Sequence, residues 1–266
     1  MSENKKTHHL INMANMKKTN VGIKNKDKQI TKKYSLADVE SVLKAKSWWA
    51  AIFILPFSNL LTLFLLNKTK VTPTQVTWFS LLIGIGAAFS FLTGHFIIGA
   101  LLFQLHFVLD CVDGAIARLR NMKSKFGAYI DIVNTVFVSG LCIVSLYFSK
   151  EQKAELIILL FIYMLTNSLV FIKDSIFVGA NHGFEQKKKS NIPILKYYLN
   201  FVNKYNLVVF PIHVECDALI FVFYAIFSNY SVFFGLFLLY LVIILKSLNS
   251  LLSFLLVMKN QSISNK

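Results

Sequence analysis

Phe96-Ile-Ile-Gly-Ala-Leu-Leu-Phe-Gln-Leu-His106-Phe-Val-Leu-Asp110-Cys-Val-Asp113-Gly114-Ala-Ile-Ala-Arg118 is the stretch that decides the fold. An apolar run of this length reads as a membrane-crossing helix. Its last third carries two aspartates, a glycine and an arginine, and Gly127 and Asp131 follow. Ionisable groups at membrane depth are costly and mark function. On a helix Asp110 and Asp113 share a face, with Arg118 about one turn further on. Clustered carboxylates repel one another unless a cation neutralises them, and hard oxygen ligands suit Mg²⁺, Mn²⁺ or Ca²⁺. Gly114 lets a ligand or backbone come close, and Arg118 offers a planar fork for phosphate. The composite reads as a metal-assisted phosphate site at a membrane surface.

The rest of the chain agrees with a membrane class. With 266 residues, 55% hydrophobic and 15% charged, it is too apolar for an ordinary soluble domain. Spans are expected at roughly 75–93, 96–118, 127–148, 155–177, 206–228 and 231–257. The expected fold is an all-α integral membrane protein with six transmembrane helices preceded by an interfacial amphipathic helix. Residues 1–33 are rich in Lys, Asn and Thr and read as a disordered basic tail. Residues 34–70 read as cytoplasmic or interfacial helices, with Ser35 as an N-cap. Residues 71–258 form the membrane domain, and 259–266 a short C-terminal tail. Pro56, Ser58, Asn59 and Thr62 interrupt the apolar stretch 47–66, which is therefore expected to lie along the surface.

Six spans put the N-terminal lysines, the Arg120/Lys123/Lys125 loop, Lys187 to Lys189 and the C-terminus on one side. That is the positive-inside arrangement, with both termini cytoplasmic at the cell membrane. The net charge of +15 then sets topology and meets anionic lipid rather than nucleic acid. Cys111, Cys142 and Cys216 have no metal-ligand spacing and read as buried thiols.

The motif resembles the signature of the CDP-alcohol phosphatidyltransferases, D-x2-D-G-x2-A-R-x8/9-G-x3-D-x3-D. Seven of its eight fixed positions match, and Thr135 stands where the last Asp belongs. Thr72-Pro73-Thr74-Gln75-Val76-Thr77 is similar to the T-P-N-x-x-T segment of the same family, with Thr74 in place of Asn. The resemblance implies a two-metal site for Mg²⁺ or Mn²⁺ held by Asp110, Asp113 and Asp131. It places Gly114, Arg118 and Ser124 on the donor's phosphates or nucleotide, and Thr74, Gln75, Val76 and Thr77 along the cytidine pocket. It also implies a homodimer among membrane lipids. The implied reaction is attack of an alcohol acceptor on the β-phosphorus of a CDP-linked donor, releasing CMP in phospholipid biosynthesis.

Thr135 stands at the position of the family's general base and has no basic form near neutral pH. One remedy is metal coordination alone, which lowers the pKa of the acceptor alcohol; another is a replacement base, for which Asp217, one turn beyond His213, is the candidate, its competing role being a pair with His213, Lys173, Asp174 or Lys246. An alternative is a catalytically weak relative that binds CDP-lipid and metal without efficient turnover. A transporter is disfavoured because the charges cluster at one end rather than across the bilayer midplane.

Overall fold

The computed structural model describes residues 33–43, 47–177, 193–204, 207 and 214–264, and every element in them is helical. Expectations for residues 1–32, for Lys187 to Lys189 and for His213 lie outside these residues. The first helix, α1, is Leu36–Ser41, opened by a Ser35 capping box with Asp38. Then come α2 (Ala50–Lys68, its first turn of wide π type), α3 (Pro73–Leu92), α4 (Phe96–Leu119), α5 (Lys125–Ser149) and α6 (Lys153–Phe177). After α7 (Pro193–Lys204), the stretches Val214–Ala218, Leu219–Tyr224 and Ala225–Phe227 run on as α8, and α9 is Val232–Ser264. The last helix therefore extends well into the expected C-terminal tail.

Polarity in this fold is reversed relative to a protein in water. Phe57, Phe64, Phe89, Leu101, Phe161 and Phe233 are exposed, whereas Ser58, Thr62, Ser80, His106, Thr166 and Lys246 are buried. Helices in lipid gain nothing by hiding apolar side chains from their solvent, and they turn small and polar residues toward each other. The protein is an integral membrane protein. Five helices among the described residues are long and apolar enough to cross a bilayer: α2, α3, α4, α5 and the part of α9 over Val232–Leu251. Four of these coincide with expected spans.

The fifth, α2, corrects the expected surface helix over 47–66. Its Ser58, Asn59 and Thr62 face the protein, and Ile52, Phe57, Leu60 and Phe64 face outward. The residues that looked like interruptions are the packing face against α4. Tyr34 meets Asn67 and the Leu119 carbonyl at the C-terminal end of α4. The Trp49 indole, at the start of α2, donates to Gln104 Oε1 at 2.9 Å. Gln104 lies fifteen residues before Leu119, about 22 Å down the axis of α4 at 1.5 Å per residue. Residues 34–68 therefore begin and finish near the same end of α4, with the start of α2 lying deeper along it, and form a bracket. Its innermost backbone is satisfied inside the protein, as lipid requires: the Trp49 N–H donates to Glu215 Oε1 at 3.1 Å.

Two cores hold the bundle. Phe91, Phe103, Ile143, Leu159, Phe221 and Leu239 pack where α3, α4, α5, α6, α8 and α9 meet. Val39, Ile54, Leu66, Val108, Val112 and Ile116 pack the bracket onto α4. Helices α3 and α5 approach closely because Gly84 has no side chain; a Cβ there would stand 2.6 Å from both Val138 methyls.

Candidate functional site

Helix α4 stops where the chemistry needs a turn. Asn121 takes φ +53, a left-handed conformation that asparagine tolerates better than most residues. Met122 N–H then returns to the Ala117 carbonyl and Asn121 N–H to that of Arg118, closing a Schellman turn. Ser124 opens α5 by accepting the Gly127 N–H at 2.9 Å. The oxygen expected to face a donor is thus the N-cap of α5, although Ser124 does line the site. On the other wall, Thr72 opens α3 through a capping box in which Gln75 N–H donates to Thr72 Oγ1 and Thr72 N–H to Gln75 Oε1.

These three helix ends enclose a cavity of about 310 Å³. Its wall includes Thr74 and Thr77 from α3, Asp113, Gly114 and Arg118 from α4, and Ser124, Gly127 and Asp131 around the start of α5. Gln75 and Val76 are elsewhere: both line an apolar groove on the opposite face of α3, with Leu61 and Leu109. A four-residue motif on a helix cannot present all its members to one side.

The carboxylates are distributed unevenly. Asp113 is 4% exposed and accepts from Thr77 Oγ1. Asp110 lies close enough to the Asp131 and Asp113 carboxylates for their charges to interact. Thr135 lies beside both: its hydroxyl reaches Asp110 Oδ1 at 3.3 Å and the Asp131 carbonyl at 3.1 Å, and its one proton serves one of them at a time. Arg118 folds back over Gly114, where a Cβ would meet Nη1 at 3.2 Å and Nη2 at 3.4 Å. Its Nε is buried without a hydrogen-bond partner, a donor suited to an anion in the cavity.

Among the described residues no three His, Cys, Asp or Glu side chains are grouped closely enough to hold a metal ion by themselves. An open arrangement still suits Mg²⁺, which binds through one or two carboxylates and completes its shell with water and substrate phosphate. Asp217 does not line the cavity; its Oδ1 accepts from Lys246 Nζ at 3.2 Å. His106, buried one turn before Asp110, pairs with Ser80 through Nδ1 at 2.7 Å. Asn134 is buried, and neither of its amide atoms has a hydrogen-bond partner. Its only sequence signal was its place beside Thr135.

The sequence profile of CDP-alcohol phosphatidyltransferases matches residues 70–237, which hold every wall of this cavity. The chain belongs to the CDP-alcohol phosphatidyltransferase family. It is similar to a phosphatidylinositol phosphate synthase of Corynebacterium glutamicum, 41% identical over 68 residues, or 25% of this chain and 31% of that protein. A bifunctional IPC transferase and DIPP synthase of Archaeoglobus fulgidus is 41% identical over 85 residues, covering 30% of this chain and 17% of that one. Its namesake in Thermococcus kodakarensis is 39% identical over 71 residues, covering 27% and 16%. The matches thus span less than a third of each of these relatives. Against the signature that its sequence resembles, the chain has Thr135 and Thr74 at the two positions that differ.

Proposed function

We propose that this family member transfers a phospho-alcohol group from a CDP-linked donor to an alcohol acceptor and releases CMP. The observation that carries the reading is the cavity in which Asp113, Gly114, Arg118 and Asp131 meet Thr74 and Thr77 at one end of the bundle. In the reaction the acceptor hydroxyl oxygen bonds to the β-phosphorus, the bond from that phosphorus to the bridging oxygen breaks, and CMP leaves with the electron pair. Asp110, Asp113 and Asp131 would hold Mg²⁺ or Mn²⁺, which supplies neutralising charge for the diphosphate. Arg118 binds a donor phosphate through the fork that Gly114 leaves room for. Thr77 orients Asp113, and Thr135 orients Asp110.

The acceptor's proton needs a base, and a threonine hydroxyl cannot supply one. Asp131, one turn before Thr135 on α5, takes that role in this reading, supported by its place on the cavity wall. Asp217 is less suited, since Lys246 already engages its carboxylate. The one relative here that is named a phosphatidylinositol phosphate synthase makes an inositol phosphate the first acceptor to try.

The site end is the cytoplasmic end, and both termini lie there. The bracket formed by residues 34–68 supports this, as does α9, which starts beside the far turn where Lys150 Nζ meets Asn229 Oδ1. Lipid surrounds the exposed aromatic faces, and the active form is a homodimer in the cell membrane.

Purified protein given Mg²⁺, a CDP-lipid and a panel of polyol phosphates, serine and amino alcohols should release CMP from at least one pairing. Thr135→Asp should raise that rate, because it adds a carboxylate beside Asp131. Absence of CMP from every pairing in wild type, with release restored in Thr135→Asp, would establish the weak-turnover alternative instead.

A further inference from the structure

Arg120 is the first residue beyond α4 and is absent from the cavity wall formed by Arg118, two positions earlier. Its guanidinium reaches across to the turn between α2 and α3. Nη1 donates to the Val71 carbonyl; Nη2 faces the carbonyls of Thr69 at 2.7 Å, Leu66 at 3.2 Å and Leu65 at 3.4 Å. The Leu65 and Leu66 carbonyls belong to the last turn of α2, where a cation is favoured; Leu65 O already accepts from the Thr69 N–H and hydroxyl, so the guanidinium's closer partners are Leu66, Thr69 and Val71. The Thr69 and Val71 carbonyls belong to the strand of chain that leads straight into Thr72 and Pro73. A second tie holds the same turn. Tyr34, buried, donates its N–H to Asn67 Oδ1 at 2.8 Å and accepts from Asn67 Nδ2 at 3.0 Å. Its hydroxyl donates to the Leu119 carbonyl at 3.3 Å.

Both ties therefore join the turn before α3 to the end of α4. The first turn of α3 carries Thr74 and Thr77, and the last turns of α4 carry Asp113 and Arg118, so these are opposite walls of one cavity. We infer that Arg120, backed by the Tyr34–Asn67 pair, is a positioning clamp that fixes the width of the nucleotide cavity. None of the three touches the space a ligand would fill, and all three set where its walls stand. A lysine cannot substitute, because an ammonium is a point donor and lacks the planar fork that reaches carbonyls on both sides of the turn. The inference rests on the proposed reading of the cavity as a CDP site. It adds that the bracket preceding the family-matched region, through Tyr34 and Asn67, is a working part of that site.

The test compares wild type with Arg120→Lys, Arg120→Met and Tyr34→Phe, by CMP-release kinetics and by spin-label distance across the cavity. Labels go at Thr74→Cys and Met122→Cys, with Cys111, Cys142 and Cys216 changed to Ala. Misplacing a binding group by about 1 Å can cost about 100-fold, so Arg120→Lys should raise KM for the CDP donor about 10-fold or more while kcat changes little. Tyr34→Phe, which loses the bond to Leu119 and keeps the backbone pair with Asn67, should raise KM less. The label distance should be narrow in wild type and broad or longer in Arg120→Lys. An unchanged KM with an unchanged distance overturns the clamp, even if thermal stability falls. Should Arg120→Met fail to fold, the lysine and Tyr34→Phe variants decide the question. If wild type releases no CMP yet the distance broadens in Arg120→Lys, the turnover reading fails and the clamp stands.

Discussion

Gly114→Ala is a substitution that should separate the site from the fold. Gly114 sits inside α4, where alanine is intrinsically better than glycine by about 1 kcal/mol. Thermal stability should therefore hold or rise. The added methyl would stand 3.2 Å from Arg118 Nη1 and 3.4 Å from Nη2, closer than most such contacts, so the guanidinium must retreat. Charge-assisted hydrogen bonds contribute about 1.5–3 kcal/mol each, and losing one from a donor phosphate corresponds to about 10- to 150-fold in affinity. The expected result is a fall of about 10- to 100-fold in kcat/KM for the CDP donor. It is read by CMP release alongside a thermal melt of the same preparation. Activity close to wild type would refute the placement of Arg118 as the phosphate ligand. So would a loss of activity matched by a loss of stability, because the effect would then be general damage to α4.

Asn121→Val puts a β-branched residue at φ +53 and should destabilise by about 1–2 kcal/mol, while Asn121→Gly should not; detergent-phase melts of the two variants check this. Removing one member of the Asp217–Lys246 pair strands a buried charge and should cost about 3–5 kcal/mol, whereas Asp217→Leu with Lys246→Met should be near neutral. The double variant should also keep CMP release, and loss of turnover in it would restore Asp217 as a candidate base. Burial at the far end of α5 lowers the Lys150 ammonium to about 8. The unfolded chain then binds more protons than the folded one above that value, so this group makes stability rise with pH from about 8 toward the ordinary lysine range near 10. Melting temperature followed across that range should show the rise in wild type and lose it in Lys150→Met.

The signature was readable because charge in an apolar chain has few explanations. Asp113, Gly114, Arg118 and Asp131 do share one cavity wall. The bracket was less readable. Ser58, Asn59 and Thr62 looked like breaks in a span because hydropathy counts polar residues without saying which way they face. In lipid they turn inward, and Ser58 Oγ faces its own helix at the Leu55 carbonyl. Arg120 looked like one more topogenic charge beside Lys123 and Lys125. Its partners are backbone carbonyls forty-nine or more residues away, and a carbonyl leaves no mark in a sequence. Gln75 and Val76 were assigned to the pocket by their place in a linear motif, but the helix turns them to the other face.

Equilibrium binding of cytidine diphosphate to the purified protein, titrated with and without Mg²⁺, tests the central claim most directly. Binding should require the cation in wild type, collapse in Asp110→Asn and Asp131→Asn, and persist in Thr135→Ala, which keeps all three carboxylates and Arg118. Cation-independent binding, or binding that survives both aspartate variants, would contradict a metal-assisted diphosphate site.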